Sequence, residues 1–570
     1  MKTKLDSFQR QTGRELRGLP ATYLSIAVLV ALAPSVQAVD YTWDGGTGNW
    51  NATNWNGASA SGPTTAGNTA TISSGNVTAN VGGPGNLDSI TIGSGGQLNF
   101  YNGDFSIFAY QGVGNLILQG GIVNGGSATY NAYGASILGN VTVSGSAAST
   151  ITGGSWFNIN PTTTYTVADV TGSAATDLLV NTSLRGPVGS PDTSYNPASI
   201  IKEGAGTMEV TFHSYFRGGL TLNGGTLKLS GGNGGYGFFD GAVTVNSGTT
   251  LTIDSDGTGF GFQNSWKPTS VNIIGGTVNG GGNHVWGISG GVNMTGGSLQ
   301  SGGFQWNFTD LITHASADTA TVAGPLNLRG DGGYTTMAVA VADGAADTDL
   351  LISGNITETY GPMGITKSGA GAMVLSGSNV YTGPTSVQNG TLLITGVHTG
   401  GGLITVAAGA TLGGNGTVGD VEIADGGILS PGASAGHLTV NHLTLNPSSV
   451  LNIELGAPTL VQDPGSDFVT VGQILTLGGT LNIQAISGFG TPASGDSWLI
   501  MTAANGIADN GIVIGSQPAL PGGMTFTLDY SSGSEVFLTV VPEAGTAGLA
   551  ALGAVLLRHL CRRRPGGMKR

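Results

Sequence analysis

Acidic side chains are the first residues in this chain whose types and spacing could do chemistry. Two carboxylates a few positions apart can share a divalent cation, or divide acid and base roles across a glycosidic bond. Asp254 and Asp256 form one such pair, Asp347 and Asp349 another, and Asp343 is near enough in sequence to join the second. Asp254-Ser-Asp256-Gly257 opens like a calcium loop, yet Ser265 occupies the position where an EF-hand needs its terminal Glu. Asp343, Asp347 and Asp349 could share one loop ion, although the region around Asp177 lacks the same cluster. Solvated turn residues explain these acids more economically, so no metal and no other cofactor is expected. His213, His284, His314, His398, His437 and His442 make neither HExxH nor His-x-His. No Gly-x-Ser-x-Gly sits in a strand-to-helix setting, which sets aside a serine nucleophile. Trp43, Trp50 and Trp55 follow one another at short intervals. They read as the plug for a hydrophobic end, with an aromatic sugar-binding platform as the alternative.

Whatever these residues do, composition restricts the elements that can hold them. Of 570 residues 103 are Gly, while charged residues make up only 9%. A globular chain averages about 7% Gly and about 25% charged residues. The Gly has no three-residue period, which excludes collagen. Hydrophobic residues reach 39% and the mean hydropathy is +0.15, which argues against disorder. The apolar residues come in short alternating runs such as Leu220-Leu222, Leu227-Leu229 and Val243-Val245, the pattern of half-buried strands. Between residues 39 and 541 there are seven basic and 29 acidic residues, a net charge of −22. Such a body repels nucleic acid and anionic lipid, and it has too few cations for a lyase that must neutralise a uronate. Cys561 is the only cysteine, so the body has no disulfide.

Internal repetition gives the architecture. IKEGAGTMEVTFHSYFRGGLTLNGGTLKLSG (201–231) and ITKSGAGAMVLSGSNVYTGPTSVQNGTLLITG (365–396) stay in step without a gap from Lys202 against Lys367 through Leu227 against Leu392. A longer duplication surrounds them. GGIVNGG at 120 recurs as GGTVNGG at 275, GGSWFNIN at 153 as GGFQWNFT at 302, and ATDLLVNTSL at 175 as DTDLLISGNI at 347. A shorter beat of Thr-Leu or its like, among them Thr226-Leu227, Thr250-Leu251, Thr277-Val278, Thr391-Leu392, Thr411-Leu412 and Thr480-Leu481, recurs mostly every 17–30 residues or so. That is the length of one solenoid turn, and most members follow a Gly pair or an Asn-Gly or Ser-Gly corner. Stacked turns put like side chains above one another, with Leu, Ile and Val columns inside and Thr and Asn columns outside. We expect an all-β chain, a right-handed parallel β-helix of roughly 20–25 rungs and about 100–120 Å, with a β-propeller or sandwich array as runner-up.

Both ends read as addresses. Lys2, Lys4, Arg10, Arg14 and Arg17 precede an apolar run from Tyr23 to Ala33, and small residues at Val36 and Ala38 suit cleavage between Ala38 and Val39. About 11 apolar residues are too few to cross a bilayer core that needs roughly 20. At the other end Val541-Pro542-Glu543 leads into a short apolar helix, Gly545 to Leu557, and then Arg562, Arg563 and Arg564, which would hold that end in the cytoplasm.

Two resemblances add to this reading. Lys-x-Gly-Ala-Gly-x-Met, Tyr-Thr-Gly-Pro-Thr-Ser-Val and Asn-Gly-Thr-Leu-Leu at 367–393 resemble the autotransporter-associated β-strand repeat of bacterial surface proteins, with a second match at 202–229. Residues 402–541 also resemble the end of such passenger regions. The 29 residues after Val541 are too few for the membrane β-barrel that an autotransporter would need. The tail VPEAGTAGLAALGAVLLRHLCRRRPGGMKR resembles a PEP-CTERM sorting segment, with Ala544 where that family has a second Pro. The resemblance implies an exosortase-like processing enzyme, cleavage near Pro542-Glu543, transient membrane insertion, and release or attachment at the surface; a plain C-terminal anchor is the alternative. The expected organisation is a signal peptide (1–38), an N-terminal cap and first rungs (39–114), a duplicated solenoid (115–400), a passenger-like β region (401–541) and a sorting or anchor segment (542–570). The expected function is that of an exported, non-enzymatic structural or adhesive protein at the cell surface, outer envelope or matrix. An envelope or extracellular polysaccharide is its expected partner, and a carbohydrate-active enzyme on the same scaffold is the rival.

Overall fold

The computed structural model describes residues 39–543 apart from 53, 57–66, 80–86, 101–111, 126–135, 138, 154–156, 187–197, 213, 215–216, 232–237, 254–259, 261–266, 281–290, 302–304, 332, 433 and 461–464. Alternating short runs become strands that pair in parallel with the strand one turn on, so the chain winds as a β-solenoid. Two parallel sheets run the length of the coil. The first passes from Asp40–Trp43 through Ser199–Glu203, Gly219–Leu222 and Gly364–Ser368 to Ile507–Asp509. The second passes through Thr207–Val210, Thr226–Leu229 and Ala372–Leu375 to Val513–Ile514. A third face is interrupted: strands of two to four residues line it near Gly112–Arg185 and again from Leu326, and it ends in longer strands. There are about twenty coils, which at about 4.8 Å per step make a rod of roughly 90 Å. This is the lower end of the expected rung number, and the propeller and sandwich alternatives fall away because almost every pairing is parallel between successive turns.

Side chains alternate as a two-residue period requires. In the second sheet Leu392, Leu412, Leu429, Leu451 and Leu481 stack in register, and all are buried. The outer positions of the same turns mix Thr391, Thr411, Asn452, Thr480, Asn482 and Gln484 with Leu393, Ile428 and Val450, and Asn482 Nδ2 donates to Asn452 Oδ1 at 3.1 Å one coil below. The long duplication is visible in space: Thr176–Asn181 and Leu350–Ile352 both lie in the second sheet, and Leu184–Arg185 and Ile356–Thr359 both lie on the third face. Where that face has no strand among the described residues, a buried aromatic row fills the interior. Phe239 and Phe260 lie 6.1 Å apart and Phe260 and Trp306 5.6 Å apart between ring centroids.

Both ends of the ladder are modified. At the N-terminal end Trp55–Asn56 folds back antiparallel on Asp40–Trp43 and covers its outer edge. Near the C-terminal end Ser497–Ala503 accepts Glu535–Pro542 antiparallel, and Met524–Asp529 pairs with that strand in turn. Among the described residues no helix is long and apolar enough to cross a membrane. The expected apolar helix at 545–557 lies outside the described residues, as does the expected signal peptide.

Candidate functional site

The two matching repeats build the same polar station inside the apolar coil. Lys202 and Lys367 occupy inward positions of the first sheet, Lys202 between Tyr165 and Leu222 and Lys367 between Val339 and Val387. Both residues are fully buried. Lys202 Nζ donates to the carbonyls of Glu203, Gly204 and Gly224 at 3.0, 2.8 and 2.9 Å. Lys367 Nζ donates to those of Ser368, Gly369 and Asn389 at 3.4, 2.9 and 2.8 Å. All three ammonium hydrogens are thereby used, two on the corner that follows the lysine and one, to Gly224 O or Asn389 O, on the next coil. Burial lowers both ammonium groups to about 8, opposed by the charge of Asp177 at the first station and of Asp349 at the second.

Those two aspartates complete the stations, and they are structural counterparts. Asp177 takes the amides of Val170, Thr171 and Thr207 at 3.0, 2.9 and 2.7 Å, and Asp349 takes those of Gly344 and Ala372, each at 2.8 Å. The spacing of the motif follows from these contacts. Gly369 has φ +77, and a Cβ on Gly371 would come within 2.4 Å of the Ala342 carbonyl and 2.7 Å of the Asp349 carboxylate. Lys-x-Gly-Ala-Gly is thus a coil-locking device, and its chemistry is hydrogen bonding.

The candidate residues are otherwise dispersed. Asp349 is buried while Asp343 and Asp347 are exposed, so the three do not converge on one ion. Asp254, Asp256 and Ser265 lie outside the described residues, as do His213 and His284. Among the described residues no group of three or more His, Cys, Asp or Glu could hold a metal. His442 meets Asp420 at 2.8 Å, His437 meets Thr470 at 2.8 Å, and His398 is buried against the Tyr381 ring with centroids 4.5 Å apart. Trp43, Trp50 and Trp55 are buried and pack on one another, with centroids 5.2 Å apart for Trp43 and Trp55 and 4.8 Å apart for Trp50 and Trp55. Their faces are closed to a sugar, so the platform alternative falls away and the three pack as an apolar plug. Val39 lies at the first rung, its amide donating to Asn68 Oδ1 at 2.9 Å. Val541 and Pro542 close the last strand opposite Thr525 and Met524, and the exposed Glu543 donates its amide to Gly523 O at 2.8 Å. Ala38, Arg562, Arg563 and Arg564 lie outside the described residues.

The outer faces offer a second kind of chemistry. A groove of about 570 Å³ on the C-terminal coils is lined by Asn452, Glu454, Asn482, Gln484, Ser516 and Gln517, among others. Its amides and hydroxyls can meet a polar ligand through hydrogen bonds, and Glu454 is the one carboxylate in its lining. Beneath it the buried Asp467 takes the amides of Gly436 and Glu454 at 2.9 and 2.8 Å. Sequence reasoning missed this carboxylate and both buried lysines. The lysines carried a readable signal, since the alternation that turns Ile200 inward also turns Lys202 inward.

Comparison with known proteins agrees with the stations. Residues 200–229 and 365–394 match the family described as Passenger-associated-transport-repeat. Over 167 residues the chain is 34% identical to the adhesin BmaC autotransporter of Brucella suis biovar 1 (strain 1330), a match covering 28% of this chain and 5% of that protein. Over 161 residues it is 30% identical to an extracellular serine protease of Serratia marcescens, covering 28% of this chain and 15% of that protein. The chain therefore spans a small part of either relative, and it carries two autotransporter-associated repeats within a parallel β-solenoid.

Proposed function

We propose that this chain is an exported, non-enzymatic surface or extracellular-matrix protein that acts as an adhesive spacer. The observation that carries the reading is the continuous pair of parallel sheets from Asp40 to Ile514, locked twice by the passenger-type Lys–Asp station. Such a rod holds a polar, weakly charged surface away from its point of attachment, and its buried acids and lysines are committed to backbone groups. The coil is right-handed in this reading, and an envelope or extracellular polysaccharide is the partner. Cleavage between Ala38 and Val39 frees the first rung. An exosortase-like enzyme cuts near Val541, Pro542 and Glu543, after the apolar segment has inserted transiently with Arg562, Arg563 and Arg564 on the cytoplasmic side.

Cell fractionation with C-terminal mass analysis tests this. The wild type should appear outside the cytoplasm and end near Pro542-Glu543, while Glu543→Ala should keep its tail and stay membrane-associated. Identical length and location for the two proteins would remove the sorting step. Accumulation of full-length wild-type chain in the cytoplasm would remove the export reading as a whole.

A further inference from the structure

We propose that Tyr334, Tyr360 and Asp331 form a binding site for a neutral polysaccharide on the side of the solenoid; this deepens the adhesive reading above and rests on it. The two tyrosines follow strands that are neighbours on the third face, Leu326–Arg329 and Ile356–Thr359, paired so that Arg329 lies beside Thr359. Their backbones meet at Gly330, where a Cβ would lie 2.5 Å from Tyr360 O and 3.7 Å from Tyr334 O. Tyr360 is 65% exposed and Tyr334 51%, so this apolar ring surface is turned to solvent rather than to the core.

Tyr360 is also the one non-glycine among the described residues with positive φ, at +65. A bulky aromatic held in that region is strained, and such strain collects where a side chain must be aimed at a ligand. The turn that aims it is pinned, because Glu358 accepts the Met363 amide at 2.7 Å and Gly330 N donates to Thr359 O at 3.1 Å. The Arg329 guanidinium carbon sits 4.7 Å from the Tyr360 ring centroid. That side chain is only 12% exposed, so it backs the ring and leaves the opposite face open. Arg329 Nε also holds Asp331 Oδ1 at 3.0 Å, yet the Asp331 side chain stays 41% exposed.

Pyranose rings present a C–H face that packs on an aromatic ring and a rim of hydroxyls that need both a donor and an acceptor. Tyrosine rings, whose hydroxyls both donate and accept, beside the Asp331 carboxylate supply these together. The net −22 of the body disfavours a polyanion, and with Asp331 already paired to Arg329 the site offers no free charge for a polycation, so we assign it to an uncharged chain.

Affinity electrophoresis of the full chain through gels containing dextran, galactomannan or polygalacturonate tests the assignment. Wild type and Tyr360→Phe should be retarded by at least one of the neutral polymers. Tyr360→Gly, which suits the positive φ and removes the ring, should weaken that retardation about tenfold with an unchanged or higher melting temperature, and Tyr334→Ala should act in the same direction. Retardation by polygalacturonate alone, retardation by no gel, or equal retardation of wild type and Tyr360→Gly would overturn the site. Release of reducing ends from a retarding polymer would overturn the non-catalytic reading and leave the site standing.

Discussion

Asp467 is 1% exposed, and burial pushes its carboxyl up to about 7, helped by the charge of Glu454 and opposed by the two amide bonds it accepts. Between about pH 4 and 7 the native chain therefore holds a proton that the unfolded chain has released. Stability contributed at this residue falls as pH rises through that window and is level above and below it. His398 works in the opposite sense: burial lowers its pKa, so its contribution is lost as pH falls below about 6.5. The readout is thus a difference between proteins. Urea midpoints of wild type minus those of Asp467→Asn should decline from pH 4.5 to 7.5, and a difference that rises or stays constant would contradict the assignment.

At the scale of the coil, the Lys–Asp station makes the sharpest demand. Replacing Lys367 by Met leaves three interior carbonyls without their donor and Asp349 without its counter-charge. We expect Lys367→Met to lose about 3–5 kcal/mol in urea unfolding, and Lys202→Met a similar amount. A loss below about 1 kcal/mol, the range of an exposed ion pair, would mean that the lysine is not a coil lock. Much of this scale was legible beforehand. The Thr-Leu beat marks the strands of the second sheet, and the gapless register of Lys202 on Lys367 marks two equivalent coils. The third face was hidden, because strands as short as Ser378–Asn379, Val397–His398 and Thr417–Val418 leave no alternation to read. Asp349 read as a turn residue and Asp177 received no role, because sequence spacing does not show which backbone amides converge on a carboxylate. Tyr360 and Tyr334 were silent for the same reason, since only folding brings their turns together at Gly330.

Over the whole molecule each coil rests mainly on its two neighbours, so stability spreads by contact from turn to turn. The buried tryptophans and the fold-back of Trp55–Asn56 should then protect the nearest coils most. Trp50→Ala should speed amide exchange in the strands between residues 69 and 100 while leaving Ile404–Val406 and Thr480–Ala485 near their wild-type rates. Uniform acceleration along the rod would show instead that it melts as one unit. The parallel ladders have a mechanical corollary. Their hydrogen bonds lie along the long axis, so a pull on the two tips loads the turns in series and strips them one after another. Each turn of about 25 residues that gives way pays out roughly 80 Å of slack, which lets the filament yield under tension while its remaining windings keep their grip.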